Sequence, residues 1–313
     1  MSRTLRIGTR GSKLALAQSR WVQACLRQRH PDVAIKLVVI KTTGDRFVDQ
    51  PLSQLGGKGV FVKEIEEALL AGVIDGAVHS MKDVPSELAS GLVIAATPRR
   101  EDPRDLLITR DRIAFSELPR GARIGTSSLR RMALLRFLRK DLEVLSLRGN
   151  VDTRLDKLQR GELDAIVLAA AGLRRLGIER PDAEAFDPER FVPAIGQGVL
   201  ALESRADDTL ALLAVLNDPT TRVAVNAERA FQRRVGGSCR TPLAAHARVE
   251  NDMVKLLALI AAPDGSRVLR SERAAASADA VALGESVADE LLGQGGAEIL
   301  RALDAESGAR NGG

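Results

Sequence analysis

Tyrosine is absent from this chain of 313 residues, and one tryptophan and seven phenylalanines bring its aromatic content to only 3%. Proteins that stack the bases of a single nucleic-acid strand need such rings, so that class is disfavoured despite a net charge of +5. Helix-turn-helix and zinc-finger spacings are also missing. The three histidines, His30, His79 and His246, have neither a cysteine nor a second histidine at ligand spacing, which argues against a metal centre. Two cysteines far apart, Cys25 and Cys239, make no disulfide framework. No run of eighteen apolar residues is present to span a membrane. No charged-then-apolar leader precedes the strand-like residues from Leu5, so the expected compartment is the reducing cytoplasm.

What the chain has is arginine, unevenly spread. From Arg99 to Arg160 sixteen Lys/Arg face nine Asp/Glu, whereas from Glu272 onward three face eight. The planar fork of arginine suits carboxylate or phosphate, so the excess points to a small polyanionic ligand more than to a polymer. Apolar content of 45% and charged content of 28% are those of a soluble globular protein, long enough for two or three domains.

Arg6–Thr9 reads as a strand ending in a turn. Ser12 then caps a helix from Lys13 to about Gln28, with Leu14, Ala17, Trp21, Ala24 and Cys25 recurring at helical spacing. Cys25 on that stripe reads as a core residue. Ile35–Ile40 is a second strand, Thr42–Gly59 a long polar loop, and Phe61–Leu70 a helix stopped by Gly72.

The pattern then repeats. Gly72-Val73-Ile74-Asp75-Gly76-Ala77-Val78-His79-Ser80 resembles Gly161-Glu162-Leu163-Asp164-Ala165-Ile166-Val167-Leu168-Ala169, and Arg6–Ser12 resembles Arg123–Ser128. Two α/β units of related design follow, with strands alternating with helices as in parallel sheets. Ligands of such sheets bind beyond the carboxyl ends of the strands, where Thr9–Ser12, His79–Pro85, Thr126–Arg131 and Ala169–Arg175 lie. Residues 98–104 read as a crossing between the units and residues 191–198 as a crossing back. From Pro219 a helix, a turn, three strand-like runs (244–250, 254–261, 268–273) and two helices (278–292, 297–303) indicate a small α+β domain. The expected division is residues 1–98 with 197–217, then 104–192, then 219–305, followed by a disordered tail at 306–313.

Five places could carry chemistry. Gly56-Gly57-Lys58-Gly59 lacks the Ser/Thr and the preceding strand of a nucleotide loop, so it reads as a mobile loop bearing one lysine. His79, at a strand end, is a catalytic suspect that reads more readily as packed. Ser80-Met81-Lys82-Asp83-Val84-Pro85 sets a lysine and an aspartate in a proline-clamped turn. Asp83 could handle a proton on an amine or stabilise a cation, or could simply bond its own turn. Arg10, Arg130, Arg131, Arg148 and Arg154 follow short apolar strands, which favours a carboxylate-binding cleft over a solvated face. Val235-Gly236-Gly237-Ser238-Cys239-Arg240-Thr241-Pro242 offers a thiol on a glycine-softened turn beside an arginine that favours thiolate. From composition, Cys239 is as readily structural as functional.

Taken together, these motifs resemble one family. Thr9-Arg10-Gly11-Ser12-Lys13-Leu14-Ala15-Leu16, Gly56–Phe61, His79–Pro85, Glu101-Asp102-Pro103-Arg104-Asp105 and Gly125–Arg131 are similar, in order, to porphobilinogen deaminase. So are Leu147-Arg148-Gly149-Asn150-Val151, Pro193-Ala194-Ile195-Gly196-Gln197-Gly198 and the Gly-Gly-Ser-Cys turn, the match loosening beyond Pro242.

The resemblance implies two periplasmic-binding-protein-like α/β domains plus a smaller C-terminal α+β domain. It implies a transferase of porphyrin biosynthesis that joins four porphobilinogens into hydroxymethylbilane with release of ammonia, working as a cytoplasmic monomer. A dipyrromethane cofactor would be held by a thioether on Cys239, contacted by Lys82, Ser128, Arg130 and Arg131. Asp83 would be catalytic, assisting loss of ammonia and stabilising cationic pyrrole intermediates. Arg10, Ser12, Lys58, Ser80, Thr126, Ser127, Arg148, Arg154 and Arg175 (with Arg174 its competitor) would contact substrate. No metal, nucleic acid or membrane is implied. Each porphobilinogen brings two carboxylates, which accounts for the arginines. The competing class is a binding protein, since solute receptors and ligand-sensing regulators share this architecture.

Overall fold

The computed structural model describes residues 4–43, 62–236 and 241–311, so Lys58, Cys239 and most of the 42–59 loop lie outside the described residues. In chain order the elements begin with β1 (Thr4–Thr9), α1 (Lys13–Arg29), β2 (Ala34–Val39), α2 (Lys63–Leu70), β3 (Gly76–Ser80), β4 (Leu92–Ala96) and β5 (Asp105–Thr109). Next come β6 (Arg123–Gly125), α3 (Leu129–Leu138), β7 (Glu143–Leu145), α4 (Val151–Gln159), β8 (Ala165–Ala169), α5 (Ala170–Arg175) and β9 (Glu184–Ala185). The chain ends with β10 (Leu200–Arg205), α6 (Thr209–Ala214), α7 (Pro219–Val235), β11 (Leu243–Glu250), β12 (Met253–Ala261), β13 (Val268–Ala276), α8 (Ala280–Leu291) and α9 (Ala297–Asn311). Helix α9 thus covers residues 306–311, which the sequence reading left to a disordered tail. Contacts divide the chain into a unit of residues 1–103, 169–179 and 197–222 and a unit of residues 104–168, 180–196 and 223–313.

The first unit is a five-stranded sheet in the order β2-β1-β3-β10-β4. Strand β1 runs parallel to β2 and β3, but β10 runs antiparallel to both β3 and β4, so the sheet is mixed and not parallel throughout. The cause is where the chain returns: Val199 lies beside Met81, just past the end of β3, and a strand starting there must run backwards. One face packs Leu5, Ile7, Val78, Leu200 and Leu202 against Val22 and Leu26 of α1. The other packs Ala77, Ile74 and Leu92 against Ile65 and Leu69 of α2.

The inner face of α1 differs from the apolar stripe. Its buried residues are Gln18, Ser19, Val22 and Leu26, while Trp21 is 49% exposed. Two hydrogen bonds explain the rotation: Ser19 Oγ donates to Thr9 Oγ1 (2.7 Å) and Gln18 Nε2 donates to Ser80 Oγ (2.9 Å). A bonded polar side chain is no penalty to bury, so strand-end hydroxyls decide which side of α1 faces in. Cys25 is half-buried, and burial pushes its thiol up against the opposing pull of Arg29, away from reactivity.

The second unit holds a sheet in the order β7-β6-β8-β5-β9, the same arrangement as the first sheet with each strand replaced by its counterpart. The likeness extends to one device. In the first unit the Arg6 backbone N–H and guanidinium both donate to Asp75 (2.7, 3.0 and 2.7 Å). In the second, those of Arg123 donate to Asp164 in the same way (2.9, 3.2 and 3.1 Å). Gly72 and Gly161, at φ +67° and +74°, close the preceding helices with the same paired amide-to-carbonyl bonds (Val73 to Ala68, Glu162 to Lys157).

The unit also contains the C-terminal meander β11-β12-β13, an antiparallel sheet. Alternation along its strands serves two cores. Ala245, Ala247, Leu256, Ala258 and Ile260 pack with Phe231 of α7 and Val287 and Leu291 of α8. Ala244, Leu259 and Ala261 join the cluster of Ile124, Leu134, Val167 and Phe191.

Candidate functional site

The candidate residues fall in both units, and in each they gather at the carboxyl edge of its own sheet. In the first, β1 and β3 are parallel neighbours, so the turns after Thr9 and after Ser80 emerge on the same edge. Ser12 caps α1, accepting from the Ala15 N–H at 3.2 Å. Ser80 is bonded to Gln18, a partner that the apolar pattern of α1 concealed.

Beyond Ser80 a single turn of 3-10 helix, Met81–Asp83, carries the lysine and the aspartate. Met81 and Val84 are 2% and 1% exposed and pin the turn from both ends, which leaves Lys82 and Asp83 half-exposed between them. Among the described residues no hydrogen bond or cation engages the Asp83 carboxylate. The alternative in which Asp83 merely bonds its own turn has no support in that geometry.

Residues 169–179 group with the first unit, which puts α5 there. Arg174 is exposed and held by Glu101 (2.8 Å) and Asp102 (3.0 Å). Arg175 instead donates to the Gly198 carbonyl (2.6 Å), and burial lowers its guanidinium to about 10 against the steadying charge of Glu101. The two neighbours are thereby separated: one closes a surface ion pair, the other turns inward.

In the second unit Thr126, Ser127 and Ser128 follow β6. Ser128 caps α3, accepting from the Arg131 N–H (3.4 Å), and its own N–H donates to Thr126 Oγ1 (3.2 Å). Ser127 donates to the Leu147 carbonyl (2.7 Å), joining the turn after β6 to the one after β7. Arg130 and Arg131, on the first turn of α3, converge on one buried carboxylate. Arg131 Nη2 donates to Asp105 Oδ1 at 2.6 Å and its Nη1 to the Val167 carbonyl at 2.8 Å. Arg130 Nη2 lies 2.8 Å from Asp105 Oδ2, its Nη1 donates to the Val192 carbonyl (2.7 Å), and its guanidinium sits over the Phe191 ring. Burial pushes the Arg130 guanidinium down while Asp105 holds it up. Asp105 stands in the sequence as the last residue of the Glu101–Asp105 motif and as an acid opening the apolar run of β5, neither of which assigned it a partner.

Arg148 and Arg154 contrast with that pair. Arg154 donates to the Gly149 carbonyl (2.9 Å) and is brought to about 10, first by burial and then by the charges of Arg131 and Arg148. Burial also lowers Arg148. Among the described residues no carboxylate pairs with either. Arg154 feels the charges of Arg131 and Arg148, and Arg131 shares Asp105 with Arg130, so this edge suits an anion with several carboxylates. Lys58 and Cys239 lie outside the described residues.

Among the described residues no helix is long and apolar enough to cross a membrane, and no group of three or more metal-ligating side chains gathers. Residues 5–212 match the family model described as "Porphobilinogen deaminase, dipyromethane cofactor binding domain", and residues 222–293 match its C-terminal domain. The porphobilinogen deaminase of Syntrophotalea carbinolica is 53% identical over 305 residues, covering 97% of each chain. That of Trichlorobacter lovleyi is 53% identical over 298 residues, 95% of each chain. A slighter likeness links the chain to the methionine binding protein MetQ, at 13% identity and a TM-score of 0.42, covering 68% of this chain and 89% of that one. The chain belongs to the porphobilinogen deaminase family.

Proposed function

We propose that this chain joins four porphobilinogen molecules head to tail, with loss of ammonia, into hydroxymethylbilane, on a dipyrromethane cofactor carried by Cys239. One observation supports the residue-level reading above the rest: Arg154 is within reach of the charges of Arg131 and Arg148, with no carboxylate among the described residues on Arg148 or Arg154. An acidic oligopyrrole supplies those carboxylates, and the donor set fits it: guanidiniums and hydroxyls for its acid groups, a carboxylate for its pyrrole N–H groups. When bound, the cofactor supplies the pyrrole end from which the chain is extended.

Arg148 and Arg154 hold side-chain carboxylates by charge-assisted hydrogen bonds, each worth more than a neutral one in a partly buried setting. Arg130 and Arg131, two cations on one carboxylate, would contribute net positive charge toward the acid groups of the cofactor. Ser128 and Lys82 would also contact the cofactor. Thr126, Ser127, Arg10, Ser12, Lys58, Ser80 and Arg175 orient the incoming substrate. Asp83, half-exposed at the strand edge and without a partner among the described residues, gives or takes a proton at the aminomethyl nitrogen and balances positive charge that develops beside it. The enzyme works as a monomer in the cytoplasm, where a free thiol persists until it is alkylated.

Intact-mass measurement on the purified active enzyme tests the anchor. The expected result is an added mass of two pyrrole units that disappears in Cys239→Ser. An active preparation with the mass of the bare chain would refute it. Asp83→Asn is expected to keep the fold and the added mass while turnover collapses.

A further inference from the structure

Beneath the Ser80–Asp83 turn, three ionisable side chains meet in an otherwise apolar layer. His79 on β3 and Glu203 on β10 are 5% and 0% exposed, and His79 Nε2 lies 3.0 Å from Glu203 Oε2. The register brings them together: Ala201 is opposite His79 and Glu203 opposite Ala77, so the two side chains stand diagonally on one face of the sheet. That face is the one α2 covers with Ile65 and Leu69. Glu66, also on α2, closes over Glu203; burial pushes its carboxyl up, and the charge of Glu203 pushes it further. Ionisable groups are costly in such a place, and apolar residues of like volume would join helix to sheet at least as firmly. What a facing polar pair adds is a preferred geometry, because an apolar contact can slide where His79 and Glu203, 3.0 Å apart, favour one register.

We propose that His79, held by Glu203 beneath Glu66, is a positioning residue for Asp83. The inference rests on the reading that Asp83 acts in the reaction. His79 immediately precedes Ser80, the residue from which the turn springs. On the backbone, Met81 N–H donates to the Val199 carbonyl (2.9 Å), just ahead of β10. The ladder that joins β3 to β10 is therefore prolonged past the strand end at Met81, and the His79–Glu203 contact adds to it on the face that α2 covers. A carboxylate that exchanges a proton with substrate tolerates displacement poorly, so a shift of the strand end reaches turnover before it reaches binding.

The test compares His79→Ala, His79→Gln and Glu203→Gln with Asp83→Asn, all in the cofactor-bearing enzyme. In His79→Ala and Glu203→Gln, kcat is expected to fall about tenfold or more while KM stays within about twofold, the mass of attached cofactor being unchanged. His79→Gln, which keeps a polar group facing Glu203, is expected to recover part of kcat. Lowered thermal stability with kcat intact overturns the inference. So does a loss of attached cofactor or a parallel rise in KM, which would mark a general support of the fold. Normal turnover in Asp83→Asn sinks the reading of Asp83 itself. Collapse there beside normal kcat in His79→Ala sinks only the positioning role.

Discussion

Asp105 accepts from Arg131 across 2.6 Å on one carboxylate oxygen while its other oxygen lies 2.8 Å from Arg130, so a single buried acid serves two guanidiniums. The acid is 0% exposed and the arginines 4% and 6%. Removing the acid leaves two buried cations facing each other, which costs about 3–5 kcal/mol. Asp105→Asn is therefore expected to lower the urea midpoint sharply. An unchanged midpoint would mean that the arginines find other partners.

Arg154 is expected to behave in the opposite way. Burial and two neighbouring cations already disfavour its charge, so Arg154→Leu relieves repulsion and leaves thermal stability equal or raised. Turnover or cofactor assembly should nevertheless fall by one to two orders of magnitude, roughly the value of a charge-assisted bond at about 1.5–3 kcal/mol. Arg148→Leu should act in the same direction. Unchanged activity and intermediate distribution in both variants would remove the carboxylate-binding role.

Gly198 has φ +85°, and a Cβ there would meet the Glu101 carbonyl oxygen, with Arg175 bonded to its own carbonyl. Gly198→Ala should cost about 1–3 kcal/mol in backbone strain and also displace Arg175. Denaturant unfolding measures the first effect, and the KM for porphobilinogen reports the second. Full stability in the variant would show that the backbone there has another conformation open to it.

The paired Arg6–Asp75 and Arg123–Asp164 devices predict an acid limb of stability. Burial pushes Asp75 up, but the bonds from Arg6 outweigh it and hold the carboxyl below its usual range. Asp164 is likewise held low, chiefly by Arg123. A carboxyl depressed on folding contributes stability above its unfolded value, about 4, and that contribution is lost as pH falls through the lower folded value. Asp75→Asn with Asp164→Asn should flatten that part of the stability–pH curve measured by thermal unfolding. A curve as steep as that of the parent would assign the limb to other acids.

The sequence by itself determined the repeated strand–turn–helix design, because Arg6–Ser12 with Asp75 and Arg123–Ser128 with Asp164 are local signals whose bonds the fold then makes in both units. It also located Ser12 as a cap and the Lys82–Asp83 turn, since glycine, proline and capping residues act over a few positions. Only the tertiary structure decided matters that depend on distant partners. The face of α1 turned on hydroxyls of Thr9 and Ser80, the direction of β10 on where a crossing re-enters the sheet, and the split between Arg174 and Arg175 on Glu101, Asp102 and Gly198. The arginines show it best. As a sequence they formed one class of carboxylate binder. Asp105, remote from α3 in the chain, engages two of them, whereas Arg148 and Arg154 have no carboxylate among the described residues, because charge pairing follows distance in space and not order in the chain.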